Sequence, residues 1–171
     1  MATKKSLWVL LGVFIIAAWM LGPVPQVMAE TWNGKILYSV TKMEGLPIPD
    51  AEGHWVGTIE REGVIIFGNG ELGWSKRIVI LDMIMFKGSG TQSSYTTTTF
   101  QDGSTITISH KGPVVSSSTA RSTGEIIHGT GRFKGIKGTD ESTSRTLPPE
   151  KGETIGKIAG ECIITFTLPS K

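Results

Sequence analysis

The feature that most constrains the fold is a strand-and-turn pattern that begins near Lys35 and continues to Leu168. Runs rich in Val, Ile, Thr, Tyr and Phe alternate with Gly, Asn-Gly, Asp-Gly and Pro, and no window after residue 30 shows a helical period. Branched and aromatic side chains favour pleated strands, whereas Gly, Asn and Asp favour tight turns. The pattern therefore predicts an all-β domain.

Short connections separate most of these runs, and short hairpins join antiparallel neighbours, so the predicted topology is an up-and-down meander. Connections suited to hairpins lie at Arg61-Glu62-Gly63, Asn69-Gly70, Lys87-Gly88-Ser89-Gly90 and Asp102-Gly103. The predicted strands are Lys35–Lys42, Gly53–Glu60, Gly63–Phe67, Lys76–Lys87, Gly90–Phe100, Ser104–His110, Val114–Ser118, Arg121–His128, Arg132–Lys137 and Thr154–Leu168.

Two segments have a less regular composition. Glu44–Glu52 contains two prolines and is predicted to be a loop that covers one end of the domain. Thr139–Glu153 contains a Pro-Pro pair and many charges, and is predicted to be a long exposed loop before the last strand.

Eight or more antiparallel strands in one domain of this length pack either as a sandwich or as a closed barrel. Successive hairpins favour the barrel, since closure removes unpaired edges. An eight-stranded barrel is wide enough either to be filled by side chains or to hold one small ligand. The predicted fold is an eight-stranded antiparallel up-and-down β-barrel, preceded by an N-terminal signal helix.

Residues 1–29 have the composition of a signal peptide. Lys4 and Lys5 precede an apolar run from Leu7 to Leu21, and Ala29 is a small residue at the end of the segment. The run is shorter than the ~20 residues that span a bilayer, and an uncleaved anchor is the alternative interpretation. We predict cleavage after Ala29, export to the periplasm or the medium, a single domain at 30–171, and no integral membrane span after processing.

The charge of the chain excludes one class of partner. Two of the 17 basic residues lie in the signal segment, and the remaining ones equal the 15 acidic residues in number. A neutral domain lacks the basic surface that nucleic-acid binding requires, so no nucleic-acid partner is predicted.

Cys162 is the single cysteine, and no intramolecular disulfide can form. Its apolar sequence setting favours a buried core thiol over an intermolecular pair. An exported chain without disulfides fits a bacterial envelope protein better than a small eukaryotic secreted module.

The most distinctive motif spans residues 129–138, where four glycines punctuate ten residues. Gly129 and Gly131 are expected to form a tight turn with positive φ, while Gly135 and Gly138 permit a bulge or a close approach of the backbone, and Phe133 is an apolar position between them. A phosphate-binding loop is the alternative. Its G-x-G-x-x-G spacing is not met, however, and no strand–helix context follows.

This stretch resembles the G-T-G-x-[FY]-x-G-x-x-G signature of the allene oxide cyclase and dirigent-type barrel superfamily, and the compatible strand pattern covers nearly all of residues 35–168. The resemblance implies an eight-stranded antiparallel barrel with an apolar cavity, often assembled as a homotrimer and acting without a cofactor. In the plant members the barrel binds a reactive intermediate and steers its cyclisation or coupling. No functional residue of those members can be matched to this sequence outside the glycine motif.

Asp82 is the candidate catalytic residue. It interrupts the most apolar predicted strand, Ile78–Phe86, whose two faces are both apolar, so its side chain is expected to be buried or to point into the lumen. A buried carboxylate needs a partner or a raised pKa, which marks a candidate site. The alternative is a structural Asp that bonds a neighbouring hydroxyl, Arg or Lys.

Four more residues are candidates for ligand binding: His54, Trp55, His110 and Glu125. Trp55 flanks a hairpin, where an aromatic rim can stack on a ligand, although packing in the core or in a trimer interface is the favoured alternative. The three histidines show no metal-ligand spacing, so no metal site is predicted. Glu125 shares a strand face with Arg121, and such pairs either form solvated ion pairs or orient a polar ligand.

The leading functional hypothesis is an exported barrel that binds an apolar or amphipathic small molecule in its lumen, with no cofactor. One alternative is a cofactor-free isomerase or cyclase of the allene oxide cyclase type, with Asp82 in the cavity. The other is a structural envelope protein whose barrel is filled.

Overall fold

The computed structural model describes residues 28–116, 118–149 and 156–169. The predicted signal helix lies outside the described residues, so the signal peptide, its cleavage after Ala29 and export stay predictions. Within the described part of the chain, no helix is long and apolar enough to cross a membrane.

Eight antiparallel strands form a closed barrel in which each strand pairs with its neighbours in sequence and the last strand pairs with the first. The predicted all-β, eight-stranded up-and-down barrel is therefore confirmed. Two short 3₁₀ turns, Met85–Lys87 and Gly131–Phe133, interrupt the meander. The strands are β1 (Ala29–Pro47), β2 (His54–Phe67), β3 (Leu72–Ile84), β4 (Ser89–Phe100), β5 (Thr105–Ser116), β6 (Thr119–Gly129), β7 (Lys137–Thr146) and β8 (Lys157–Thr167).

Two predicted strand breaks are wrong. The turn predicted at Arg61-Glu62-Gly63 lies inside β2, which pairs with β3 without interruption from His54 to Ile66. Gly63 has a packing role there, because a Cβ at this position would collide with the backbone of Leu37 on β1. The break predicted between His110 and Val114 is also absent, since β5 runs through it.

The prediction assigned a strand to the glycine motif and a loop to the segment after it, and both assignments are wrong. Residues 132–136 are not a strand: a 3₁₀ turn is followed by Gly135, and Gly131 and Gly135 have φ of 58° and 80°. The region predicted as a loop from Thr139 instead begins as strand β7, and β1 likewise extends to Pro47. Gly129 does not have the expected positive φ, but it ends β6 against the backbone of Phe133.

One end of the barrel is closed by aromatic side chains, and we call it the aromatic end. The ring of Trp32 lies with its centroid 5.1–6.1 Å from the centroids of four phenylalanine rings. These rings belong to Phe67, Phe100, Phe133 and Phe166. Cys162 is buried in the same core, as predicted, and burial raises the pKa of its thiol to about 12.

Candidate functional site

A cavity of about 220 Å³ lies inside the barrel, at the end opposite the aromatic end. This volume exceeds the ~150 Å³ of an apolar cavity that holds benzene and approaches the ~300 Å³ at which ordinary ligand pockets begin. Its wall is mainly apolar, with hydroxyl groups on one side. It is lined by Val40, Met43, Ile59, Leu81, Met83, Met85, Val114, Ala120, Gly156 and Ile158, by Ser116, Ser118, Thr119, Ser144 and Thr146, and by Gln92 and Arg61.

Arg61 supplies the charge of this cavity. Successive side chains of a strand point to opposite faces, so Arg61 points inward with Ile59 and Ile65. Its side chain is 8% exposed, and its Nε has no hydrogen-bond partner among the described residues. Burial, and then the nearby charge of Arg77, lower the pKa of Arg61 to about 9. The guanidinium is still charged at neutral pH.

A buried polar layer separates the cavity from the aromatic end. At its centre Arg77, which lies directly opposite Arg61 in the β2–β3 pairing, donates from Nε to Ser94 Oγ at 3.0 Å. Its Nη2 donates to Ser122 Oγ at 3.3 Å, and Ser122 in turn lies 2.8 Å from Ser142 Oγ. Ser94 and Ser122 accept from two of the five N–H donors of Arg77, but they carry no charge.

The polar layer also holds a His–Asp pair. His110 Nε2 lies 3.0 Å from Asp140 Oδ2, and both side chains are buried. Burial lowers the pKa of His110, although Asp140 opposes this shift, so we assign a neutral imidazole that donates from Nε2 to the carboxylate. The space left beside this pair is only about 10 Å³, which is about the size needed for one water. The pair therefore has room for no substrate.

The structure places His54 and Asp82 together, but on the outside of the barrel. His54 Nδ1 lies 2.6 Å from Asp50 Oδ1, and His54 Nε2 lies 2.9 Å from Asp82 Oδ1. The expected burial of Asp82 is wrong, since its side chain is 62% exposed. Asp82 lies in the outward row of β3 with Ile78 and Ile80, whose own exposure explains why the strand looked apolar on both faces. Its catalytic role stays a prediction.

The other predicted site residues lie in three different places. Trp55 packs on the apolar cluster of Ile59, Val79 and Leu81 at the cavity end. His110 belongs to the polar layer. Glu125 lies on the outer surface of β6, where it borders a depression between β5, β6 and β7. The five candidates therefore do not form one site, and the described residues contain no cluster of three or more His, Cys, Asp or Glu that suits a metal ion.

The sequence interpretation missed the residues that line the cavity, above all Arg61 and the methionines. The signal that could have found Arg61 is the alternation of Ile59, Arg61, Gly63 and Ile65, which places Arg61 in an inward row once the strand is read as continuous. The same alternation places Arg77 in the inward row of Ser75 and Val79 on β3.

The hydrogen-bonded bridge Asp50–His54–Asp82 predicts that His54 stays protonated up to a higher pH than an ordinary histidine. Hydrogen bonds first to Asp50 and then to Asp82 raise the pKa of His54 above 6.5. Because folding raises this pKa, the bridge contributes its full stabilisation at a pH below the pKa of the unfolded state. That stabilisation is lost as the pH rises through the pKa of the folded state. We expect Asp50→Asn and Asp82→Asn each to lower this pKa, measured from the His54 ring protons by NMR.

Glu125→Gln is the matched control for these two variants, because it removes an exposed carboxylate on β6, on the other side of the barrel. It is expected to leave the titration of His54 unchanged. A His54 that titrates at or below 6.5 in the unmodified protein would contradict the bridge.

Comparisons with known proteins agree with this architecture at the level of the fold. No family model matches the chain, and no curated protein matches it in sequence. Two similar solved structures are both of pterocarpan synthase dirigent proteins. PsPTS1 has a TM-score of 0.51 at 15% identity over 86% of this chain and 98% of its own. GePTS1 has a TM-score of 0.55 at 16% identity over 88% of this chain and 90% of its own.

The chain therefore has a dirigent-like β-barrel fold. The resemblance predicted from the glycine motif is confirmed for the fold. Membership of the superfamily itself, and of any group within it, stays a prediction.

Proposed function

We propose that this barrel binds one small apolar or amphipathic molecule in its cavity. The observation that supports this most is the contrast between the two ends of the lumen. At the aromatic end the ring of Trp32 packs against four phenylalanine rings, whereas the opposite end keeps about 220 Å³ unfilled. Such a space in an eight-stranded barrel is the size of one small ligand.

The composition of the wall supports binding of an irregular apolar body. Three methionines, Met43, Met83 and Met85, line the cavity, and the unbranched thioether adapts to ligands of different shapes. Hydroxyl groups such as those of Ser144 and Thr146 add a few polar contacts, as small-molecule sites usually have. Two proteins of the same fold are described as pterocarpan synthases, which supports a role in handling small organic molecules.

The cavity also favours binding over proton transfer. The single ionisable side chain in its described lining is Arg61, and a guanidinium is an inefficient general acid or base at neutral pH. A ligand-binding role therefore needs no group beyond those present in the lining. The cofactor-free isomerase or cyclase is the second candidate from the sequence, and no contact in the lining favours it.

Methyl NMR with two compact probes tests the proposal. The probes are cyclohexylacetate and 2-cyclohexylethanol, which share a skeleton and differ in charge. We expect saturable shifts at the methyl groups of Met43, Met83 and Ile59. The methyl resonances of Ile127 and Ile163, which face outward, are expected not to shift.

Ala120→Leu provides the blocking variant, because Ala120 lines the cavity. We expect it to weaken binding of both probes about 10-fold, which corresponds to ~1.4 kcal/mol. Ala159→Leu adds the same bulk to the outward row of β8 and is expected to leave the affinity for both probes unchanged. Absence of saturable shifts with both probes, or equal binding by Ala120→Leu, would show that the cavity is not a binding site.

Export and the homotrimer are part of the same proposal. The outer surface of β1–β4 supports self-association, because it presents an apolar patch of half-exposed side chains, a feature typical of interaction surfaces. The patch consists of Leu37, Ile66, Trp74, Ile78, Ile80 and Tyr95. Light scattering of the purified domain would give the number of copies.

A further inference from the structure

The lumen holds an imbalance of charge that points to the chemistry of the ligand. Among the described residues, the buried side chains that carry a charge at neutral pH are Arg61, Arg77 and Asp140. Two positive groups therefore face one negative group. Arg61 and Arg77 occupy directly paired positions of β2 and β3, an arrangement in which like charges repel.

The buried carboxylate lies beside Arg77 rather than Arg61. Asp140, His110 and Arg77 line the same small space in the polar layer, and Arg61 does not. Burial lowers the pKa of Arg77, and Tyr38 and then Asp140 oppose this shift. Asp140 does not line the cavity, and no ion pair of a described residue includes Arg61. A buried charge without a partner is strongly unfavourable, so Arg61 is the place in this lumen where a counter-ion is missing.

We propose that the ligand of the cavity is a small organic monoanion whose carboxylate, or a group of similar shape and charge, accepts hydrogen bonds from Arg61 while its apolar body lies against Met43 and Met83. This inference rests on the proposed function and specifies the class of ligand. The anionic group lies inward, at the boundary between the polar layer and the apolar wall.

Three features favour a single planar anion. The guanidinium is a rigid fork that matches a carboxylate through two parallel hydrogen bonds. One added negative charge makes the buried charges of the described lumen equal, with two of each sign. Lastly, a cavity of about 220 Å³ accommodates a compact apolar body and leaves no room for a large headgroup.

The test compares cyclohexylacetate with 2-cyclohexylethanol and 2-cyclohexylethylammonium at pH 7, by titration calorimetry. We expect the anion to bind 10- to 100-fold more tightly than the alcohol, the ratio that charge-assisted hydrogen bonds produce. The ammonium is expected to bind most weakly. In Arg61→Met the preference for the anion is expected to disappear while the alcohol still binds. Arg61→Lys is expected to keep part of the preference.

Two controls separate loss of the site from loss of the fold. Arg61→Met is expected to raise Tm, because it removes an unpaired buried charge and keeps an apolar side chain of similar length. Arg145→Met removes an exposed arginine of β7 and is expected to leave both Tm and the ligand preference unchanged.

The outcomes distinguish this inference from the proposed function. If the alcohol and the anion bind equally well and Arg61→Met leaves their ratio unchanged, the monoanion is excluded while the binding cavity stands. If neither probe binds, both proposals fail together. If sodium sulfate competes with cyclohexylacetate at equal concentration, the site recognises a bare inorganic anion, and the amphipathic ligand is excluded.

Discussion

Phe133→Ala is expected to lower the free energy of unfolding by about 3–5 kcal/mol, the usual cost of removing a buried phenylalanine ring. Phe133 is 2% exposed, and its ring centroid lies 4.9 Å from that of Phe100 and 5.9 Å from that of Trp32. The guanidinium carbon of Arg132 lies 4.7 Å from the centroid of the same ring. The substitution therefore opens the core at the aromatic end.

Urea unfolding at equilibrium measures this effect. Ile127→Ala is the matched control, because Ile127 is a half-exposed residue on the outer surface of β6. Its substitution is expected to change the free energy of unfolding by less than about 0.5 kcal/mol. A loss below about 1 kcal/mol for Phe133→Ala would show that the glycine motif does not hold the barrel closed through this ring.

The sequence predicted the fold well because a barrel is encoded by local rules. Turn residues at Asn69-Gly70 and Asp102-Gly103 lie where the structure has turns, with φ of 88° at Gly70 and 79° at Gly103. Sequential pairing then follows from short hairpins. The errors lie where a strand lacks an apolar inward row. The inward residues of β7 are small or polar, Gly138, Asp140, Ser142 and Ser144, so the segment had the composition of a loop.

The site was harder to predict, since its charged residues lie where a sequence pattern favours apolar ones. Arg61 and Asp140 face inward, and both fall in segments that were interpreted as a turn or a loop. Asp82 was expected to face inward but faces outward. The outward row of β3 is itself apolar, so the sequence does not show which face of the strand is buried. Alternation fixes which residues share a face, but it cannot tell which face is the lumen when both carry apolar residues.

Asp140→Asn is expected to lower the free energy of unfolding by about 3–5 kcal/mol, because it removes the buried carboxylate that lies in the polar layer beside the buried charge of Arg77. Asp140 is 2% exposed, and its Oδ2 accepts the hydrogen bond from His110 at 3.0 Å. Glu141→Gln, on the outward side of the same strand, is the control and is expected to have an effect below about 0.5 kcal/mol. Urea unfolding at pH 7 measures both variants.

A double-variant cycle decides whether the cost arises from charge rather than from packing. If Asp140 compensates Arg77, the variant Arg77→Met/Asp140→Asn has no unpaired charge in the polar layer, and it should be more stable than Asp140→Asn alone by at least about 1 kcal/mol. If the two substitutions simply add, Asp140 holds the layer through its hydrogen bond to His110. In that case Asp140 would not be the counter-ion of Arg77, and the inference that Arg61 is the one place in the lumen where a counter-ion is missing would be wrong.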